Sequence, residues 1–135
     1  MSPPRTVLFL CVANSARSQL AEGIARSVAP PGVRVFSAGS VPSTINPLAV
    51  RALAEIGIDA RGQRSKGITE VPIAEVDLVV TLCAEEVCPV FPGKVQRLHW
   101  PLPDPAAVSG GEAEQMEAFR RVREELRARI AGLFG

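Results

Sequence analysis

Thr6-Val-Leu-Phe-Leu-Cys11-Val-Ala-Asn-Ser-Ala-Arg17-Ser18-Gln-Leu-Ala-Glu22 is the stretch that decides how this chain folds. Thr6 to Leu10 is an apolar run of the kind that forms a strand buried on both faces. From Ser18 onward the period changes. Leu20, Ala21, Ile24, Ala25 and Val28 fall on one helical face, and Pro30-Pro31-Gly32 ends the pattern. Val12 to Arg17, small and polar, must turn the chain between strand and helix.

The same alternation continues outward from this unit. Val33 to Ser37 reads as a second strand, with Ala38-Gly39-Ser40 as its turn. Pro47 suits an early helical position, followed by Leu48, Val50, Leu53, Ala54 and Ile56, with Gly57 as a C-cap. Asp59 to Ile68 is polar and basic, and is expected to be a surface loop or a short helix start. Val76 to Leu82 is a third buried strand ending at Cys83, and Val95 to His99 a fourth. Trp100 to Gly111 is a loop rich in Pro and Gly. Glu112 to Leu133 is an amphipathic helix buried along Met116, Phe119, Val122, Leu126 and Ile130. Strands and helices in this order predict an α/β three-layer sandwich with a four-stranded parallel sheet, in one domain spanning residues 1–135. Ligands of such sheets bind outside the carboxyl ends of the strands. Cys11, Gly39, Cys83 and the loop after His99 all belong to that edge.

Composition narrows the function further. The chain has 135 residues, 47% hydrophobic and 21% charged, with a formal net charge of +1. That balance fits a globular domain and argues against nucleic acid or an anionic membrane as partner, so a bound anion must be held by local geometry. No apolar run approaches the ~20 residues that span a bilayer, and Met1 to Arg5 carries no secretory signal, so a cytoplasmic, monomeric protein is expected. Three cysteines, Cys11, Cys83 and Cys88, make an odd count for a disulfide framework. His99 is the sole histidine, expected as a strand-end residue with a satisfied hydrogen bond, and the cysteines do not follow a structural zinc pattern, so no metal and no cofactor are expected.

The Cys11-x5-Arg17-Ser18 pattern has a specific physical use. Backbone amides of Val12, Ala13, Asn14, Ser15 and Ala16, with those at the helix start, can converge on one tetrahedral oxyanion. Arg17 adds a bidentate contact. The same donors favour the thiolate of Cys11, its nucleophilic form. Asn14 suits a left-handed backbone, and Ser18 is expected to cap the helix and bond the Cys11 sulfur. Asp104, between Pro103 and Pro105, is the candidate general acid.

On these residues the chain resembles the low-molecular-weight protein tyrosine phosphatase superfamily: Val7 to Glu22, Ser37-Ala-Gly39 and Asp104-Pro105 match in order and spacing. Within it the chain is most similar to the thioredoxin-coupled arsenate reductases, because Cys83 and Cys88 follow the third strand. The resemblance implies that Cys11 attacks arsenate, Cys83 attacks Cys11 as arsenite leaves, and Cys88 frees Cys11 by taking Cys83 into a disulfide. Thioredoxin or a similar dithiol, glutaredoxin or a mycothiol-like reductant, would open that bond. Phosphate or sulfate would occupy the same loop. The family's redox pair is usually more widely spaced than Cys83 and Cys88, between which four residues lie. The alternatives are phosphomonoester hydrolysis by Cys11, Arg17 and Asp104, expected at least as a weak side activity, and a redox or oxyanion sensor. The loop Pro42 to Pro47 offers no aromatic ring for a phosphotyrosine, which favours a small inorganic oxyanion. Some arsenate reductases hold potassium through side chains matching Asn14, Glu22 and Ser37 plus an aspartate. Lys66 stands near the place of that aspartate, where its ammonium would pair with Glu22 and replace the ion; the alternative is a solvated surface lysine.

Overall fold

The computed structural model describes residues 5–84 and 91–134. Its elements are β1 (Thr6–Cys11), α1 (Arg17–Val28), β2 (Arg34–Gly39), α2 (Pro47–Ala54), β3 (Leu78–Thr81), β4 (Gln96–His99) and α3 (Glu112–Ala131), with 3-10 turns at Ile68–Glu70, Ile73–Glu75 and Pro105–Ala107. The sheet order is β2-β1-β3-β4, and every neighbouring pair is parallel. The chain leaves β1 toward β2 and later returns to the other side of β1 at β3. The carboxyl end of β1 is therefore the topological switch point, where parallel sheets open a crevice. Cys11 is the last residue of that strand.

Alternation along β1 builds two cores. Val7 and Phe9 pack with Leu20 and Ile24 of α1, Leu53 of α2, and Phe119 and Leu126 of α3. Leu8 and Leu10 face the opposite cluster, with Val71, Val76, Val79 and Phe91. All three α-helices thus share one face, and the 3-10 turns help cover the other. Pro72, between those two turns, denies the segment a longer helix.

The predicted elements are present, with shifts at their ends. α2 stops at Ala54, two residues short of Ile56, and Gly57 at φ +80° carries the chain out. Asn46 is its N-cap, accepting from Leu48 N at 2.9 Å. β3 starts only at Leu78, because Asp77 turns its carboxylate to the amides of Arg5 and Thr6, at 3.1 and 3.2 Å. α1 is capped at Ala16, so Ser18 is not the N-cap. The expected surface loop at Asp59 to Ile68 is in part interior: Ala60 and Lys66 are buried. α3 buries Met116, Phe119, Val122, Leu126 and Ile130, the predicted stripe. Trp100, past β4, sits 6.4 Å from Phe9 between ring centroids and lies under the Arg129 guanidinium. Among the described residues no helix is long and apolar enough to cross a membrane.

Just past α2, Glu55 ties that helix to α3, accepting at 2.7 Å from both Arg120 and Arg123. Arg120 first, and then Arg123, pull its carboxyl from the ordinary 4.5 down to about 2. A depressed folded value means the stabilisation is complete above 4.5 and fades as pH falls toward 2. Urea titrations should therefore show Glu55→Gln less stable than wild type at pH 7. The gap should close as the pH is lowered through that window; a gap that persists at pH 2 would assign the effect to something other than these ion pairs.

Candidate active site

The loop after β1 is held by its carbonyls. Val12 O accepts from Val41 N at 2.9 Å, Ala13 O from Ser43 N at 3.1 Å and Ser65 Oγ at 3.0 Å, and Ser15 O from Asn46 N at 3.0 Å. Asn14 O accepts from Gln19 Nε2 at 3.1 Å. Every peptide bond among the described residues is trans, so each carbonyl of the loop points opposite to the next amide. The amides of Ala13, Asn14, Ser15 and Ala16 are thereby turned away from these partners, and they donate to no protein acceptor among the described residues. Asn14 takes the left-handed conformation at φ 49°, as its side chain suggested. The result is a cradle of donors one turn ahead of α1, whose own first amides add to it.

Gly39, read from sequence as a turn glycine, has a tighter role. It ends β2 against the loop, and a Cβ there would lie 2.3 Å from Val12 O and 2.9 Å from Asn14 N. Only a residue without a side chain lets β2 approach the cradle.

Cys11 is a buried free thiol whose Sγ lies 2.9 Å from Ser18 Oγ. The direction of that bond follows from its neighbours. Lys66 N, a donor only, reaches Asn14 Oδ1 at 2.8 Å, and Gln19 Nε2 reaches the same oxygen at 2.9 Å. Asn14 Nδ2 must then face the two hydroxyls, donating to Ser18 Oγ at 2.8 Å and Ser37 Oγ at 2.9 Å. Ser18 accepts from Asn14, which leaves its own proton for the Cys11 sulfur.

Arg17, buried at the start of α1, donates from Nη1 to Leu102 O at 3.0 Å and Leu82 O at 3.4 Å. These carbonyls belong to the segments that carry Asp104 and Cys83, so one guanidinium holds both beside the cradle. Asp104 caps the turn Pro105–Ala107 and accepts from Ala106 N at 3.0 Å. Cys83 follows β3 directly; it is 1% exposed and disulfide-bonded. Leu82 N bonds Leu10 O at 3.0 Å, which sets the cysteine beside the end of β1. Cys88 lies outside the described residues. His99 Nδ1 is 2.6 Å from Thr81 Oγ1, the satisfied strand-end role expected of it.

Potassium was tested against the same residues. Lys66 Nζ lies 3.0 Å from Glu22 Oε1 and 3.4 Å from Ser37 Oγ, while Asn14 turns its amide nitrogen toward Ser37. Beside the oxygens of Glu22 and Ser37 an ion would meet an ammonium and an N–H group, so these residues do not fit it. Among the described residues no group of three or more His, Cys, Asp or Glu could hold a metal. Gln19 and Gln63 are contacts that the sequence reading missed: Gln63 Nε2 donates to Gln19 Oε1 at 2.8 Å behind the loop. Their signal was faint, a buried amide in the first turn of α1 among apolar neighbours.

Gly39→Ala should weaken oxyanion binding by about a hundredfold, because the loop must shift to admit a methyl group. Calorimetric titration with phosphate checks this, and an unchanged affinity would show the approach of β2 to be dispensable.

Comparison with known proteins agrees with this geometry. The family model for low molecular weight phosphotyrosine protein phosphatases matches residues 6–135. An arsenate reductase of Halalkalibacterium halodurans is 44% identical over 128 residues, 93% of this chain and 92% of that protein. An arsenate reductase solved in its phosphate binding state superposes with a TM-score of 0.82 at 33% identity, covering 96% of each chain. A thioredoxin-dependent arsenate reductase of Corynebacterium glutamicum gives 0.66 at 34% identity, over 96% of this chain and 63% of the other. With its Cys11 cradle and these matches over nearly its whole length, the chain belongs to the low molecular weight phosphotyrosine protein phosphatase family and, within it, to the group of the arsenate reductases.

Proposed function

We propose that this protein reduces arsenate to arsenite, with Cys11 as nucleophile, Cys83 and Cys88 as relay thiols and thioredoxin or a similar dithiol protein as reductant. The observation that carries the reading is the cradle of unpartnered amides from Ala13 to Ala16 beside a free Cys11 that accepts from Ser18. It suits a small tetrahedral anion. The arsenate reductase relatives, at 44% identity, direct the choice of anion.

In this reading the Cys11 thiolate forms an S–As bond as one arsenate oxygen leaves as water, with Asp104 giving the proton. Arg17 and the loop amides bind the remaining oxygens. The Cys83 thiolate then attacks Cys11 Sγ. The S–As bond breaks with its electron pair going to arsenic, arsenite departs, and a Cys11–Cys83 disulfide remains. Cys88 attacks Cys83 and releases Cys11, and the dithiol protein reduces the Cys83–Cys88 bond. Two thiols supply the two electrons, and the disulfide moves outward to where a partner reaches it.

Hydrolysis of phosphomonoesters needs only Cys11, Arg17 and Asp104, and a weak activity of that kind is part of the proposal. Arsenate-dependent NADPH oxidation with thioredoxin and thioredoxin reductase decides between the two. Wild type should turn over, and Cys11→Ser, Cys83→Ser and Cys88→Ser should each stop it. Asp104→Asn should slow it by about 10²–10⁴-fold. Cleavage of aryl phosphate without arsenate reduction, or full activity without Cys83 and Cys88, would make this a phosphatase with two bystander cysteines.

A further inference from the structure

Behind the cradle lies a second charged cluster that no catalytic step uses. Glu22 of α1 is 1% exposed and Lys66 is 8% exposed. Glu22 Oε1 accepts from Ser37 Oγ at 2.5 Å and from Lys66 Nζ at 3.0 Å, and Oε2 lies 3.3 Å from Arg26 Nη1. Lys66 also reaches Ser37 Oγ and, at 3.2 Å, the carbonyl of Arg64. Its backbone is held on both sides, N on Asn14 Oδ1 and O by Gly39 N at 3.0 Å. The backbone that carries the ammonium is thereby fixed to the loop and to the end of β2.

The hydrogens in this cluster run one way. Ser37 accepts from Asn14 and so gives its proton to Glu22, whose Oε1 accepts from both Ser37 and Lys66. Buried charges need partners, and Lys66 and Arg26 supply them on the two carboxylate oxygens. Without Lys66, Glu22 Oε1 and Ser37 Oγ both lose the donor that holds them together, and Ser37 is free to turn from Asn14. The amide of Asn14 then loses one of the two acceptors that orient it toward Ser18, and Ser18 is what bonds Cys11.

We propose that Lys66 is a positioning residue that acts as a tethered monovalent cation: it holds Glu22 and Ser37 in place, and through Ser37, Asn14 and Ser18 it aligns the donor to Cys11, so that the protein needs no free alkali cation. The inference rests on Cys11 being the reacting thiol, but its test does not depend on arsenate.

The rate of Cys11 alkylation by iodoacetamide, followed by mass analysis of the Cys11 peptide, is measured in potassium, ammonium and tetramethylammonium chloride at equal ionic strength. The reduced wild type should show one rate in all three salts. Lys66→Ala should react about tenfold more slowly in tetramethylammonium, the size of effect usual for outer-shell partners, and should recover in potassium or ammonium, which fit the space left by the side chain. A loss that no ion repairs would leave Lys66 a merely structural contact, and a wild type stimulated by potassium would overturn the proposal outright. If Lys66→Ala does not fold, the Lys66→Met/Glu22→Gln pair removes both charges together. That variant should react slowly and ignore all salts, and alkylation at the wild-type rate would refute the role of the cation. Loss of arsenate turnover with the alkylation pattern intact would count against the reductase reading alone.

Discussion

An anion cradle demands that several consecutive amides stay unpaired in a place where water is scarce, and nearly every other feature of this structure follows from meeting that demand. A buried amide without a partner is costly, so the loop is kept open by fastening everything else. Its carbonyls are bonded by Val41, Ser43, Asn46, Ser65 and Gln19. With the outer side of each peptide committed, the amides are left facing the other way, free for an anion. The loop is preorganised in the sense that matters for charge stabilisation: donors stand in place before the charge arrives.

The side chain of Asn14 is the hinge between this backbone arrangement and the thiol. It makes four hydrogen bonds, two as acceptor and two as donor, and their directions follow from the backbone amide of Lys66, which can only donate. Satisfied networks of this kind rigidify, and half-satisfied ones are worse than an apolar core. The cluster of Glu22, Ser37 and Lys66 completes the network on the far side, which explains why two charges are tolerated so close to the protein interior. Burying such ions unpaired would cost several kcal/mol each, on the order of the whole stability margin of a small domain.

Topology supplies the remaining convergence. Parallel pairing of β1 with both β2 and β3 brings three strand ends to one edge, and Arg17 then bonds carbonyls on the segments leaving β3 and β4. A single side chain thereby links the start of α1, the segment that carries Cys83 and the loop that carries Asp104. The helices, all on the opposite side of the β1 side chains Leu8 and Leu10, leave this edge unobstructed.

Local chemistry determined a good deal by itself. The apolar run before Cys11 and the stripe of α3 are periodic, and periodicity survives folding unchanged, so strands, helices and the Cys11 to Ser18 loop were legible as residues. The left-handed turn at Asn14 was legible too, because few residues tolerate it. What depended on tertiary structure were the relations across long separations. Gly39 is an ordinary turn glycine until β2 is laid against Val12. Ser18 makes a sensible cap until the helix begins one residue earlier and its hydroxyl is claimed by Asn14 and Cys11. Lys66 could be read as a solvated lysine or as the partner of Glu22, and the fold decides for burial because Glu22 and Asn14, some 44 and 52 positions away, offer it more than water does. Burial and hydrogen-bond direction are properties of surroundings, and only the folded chain assembles those.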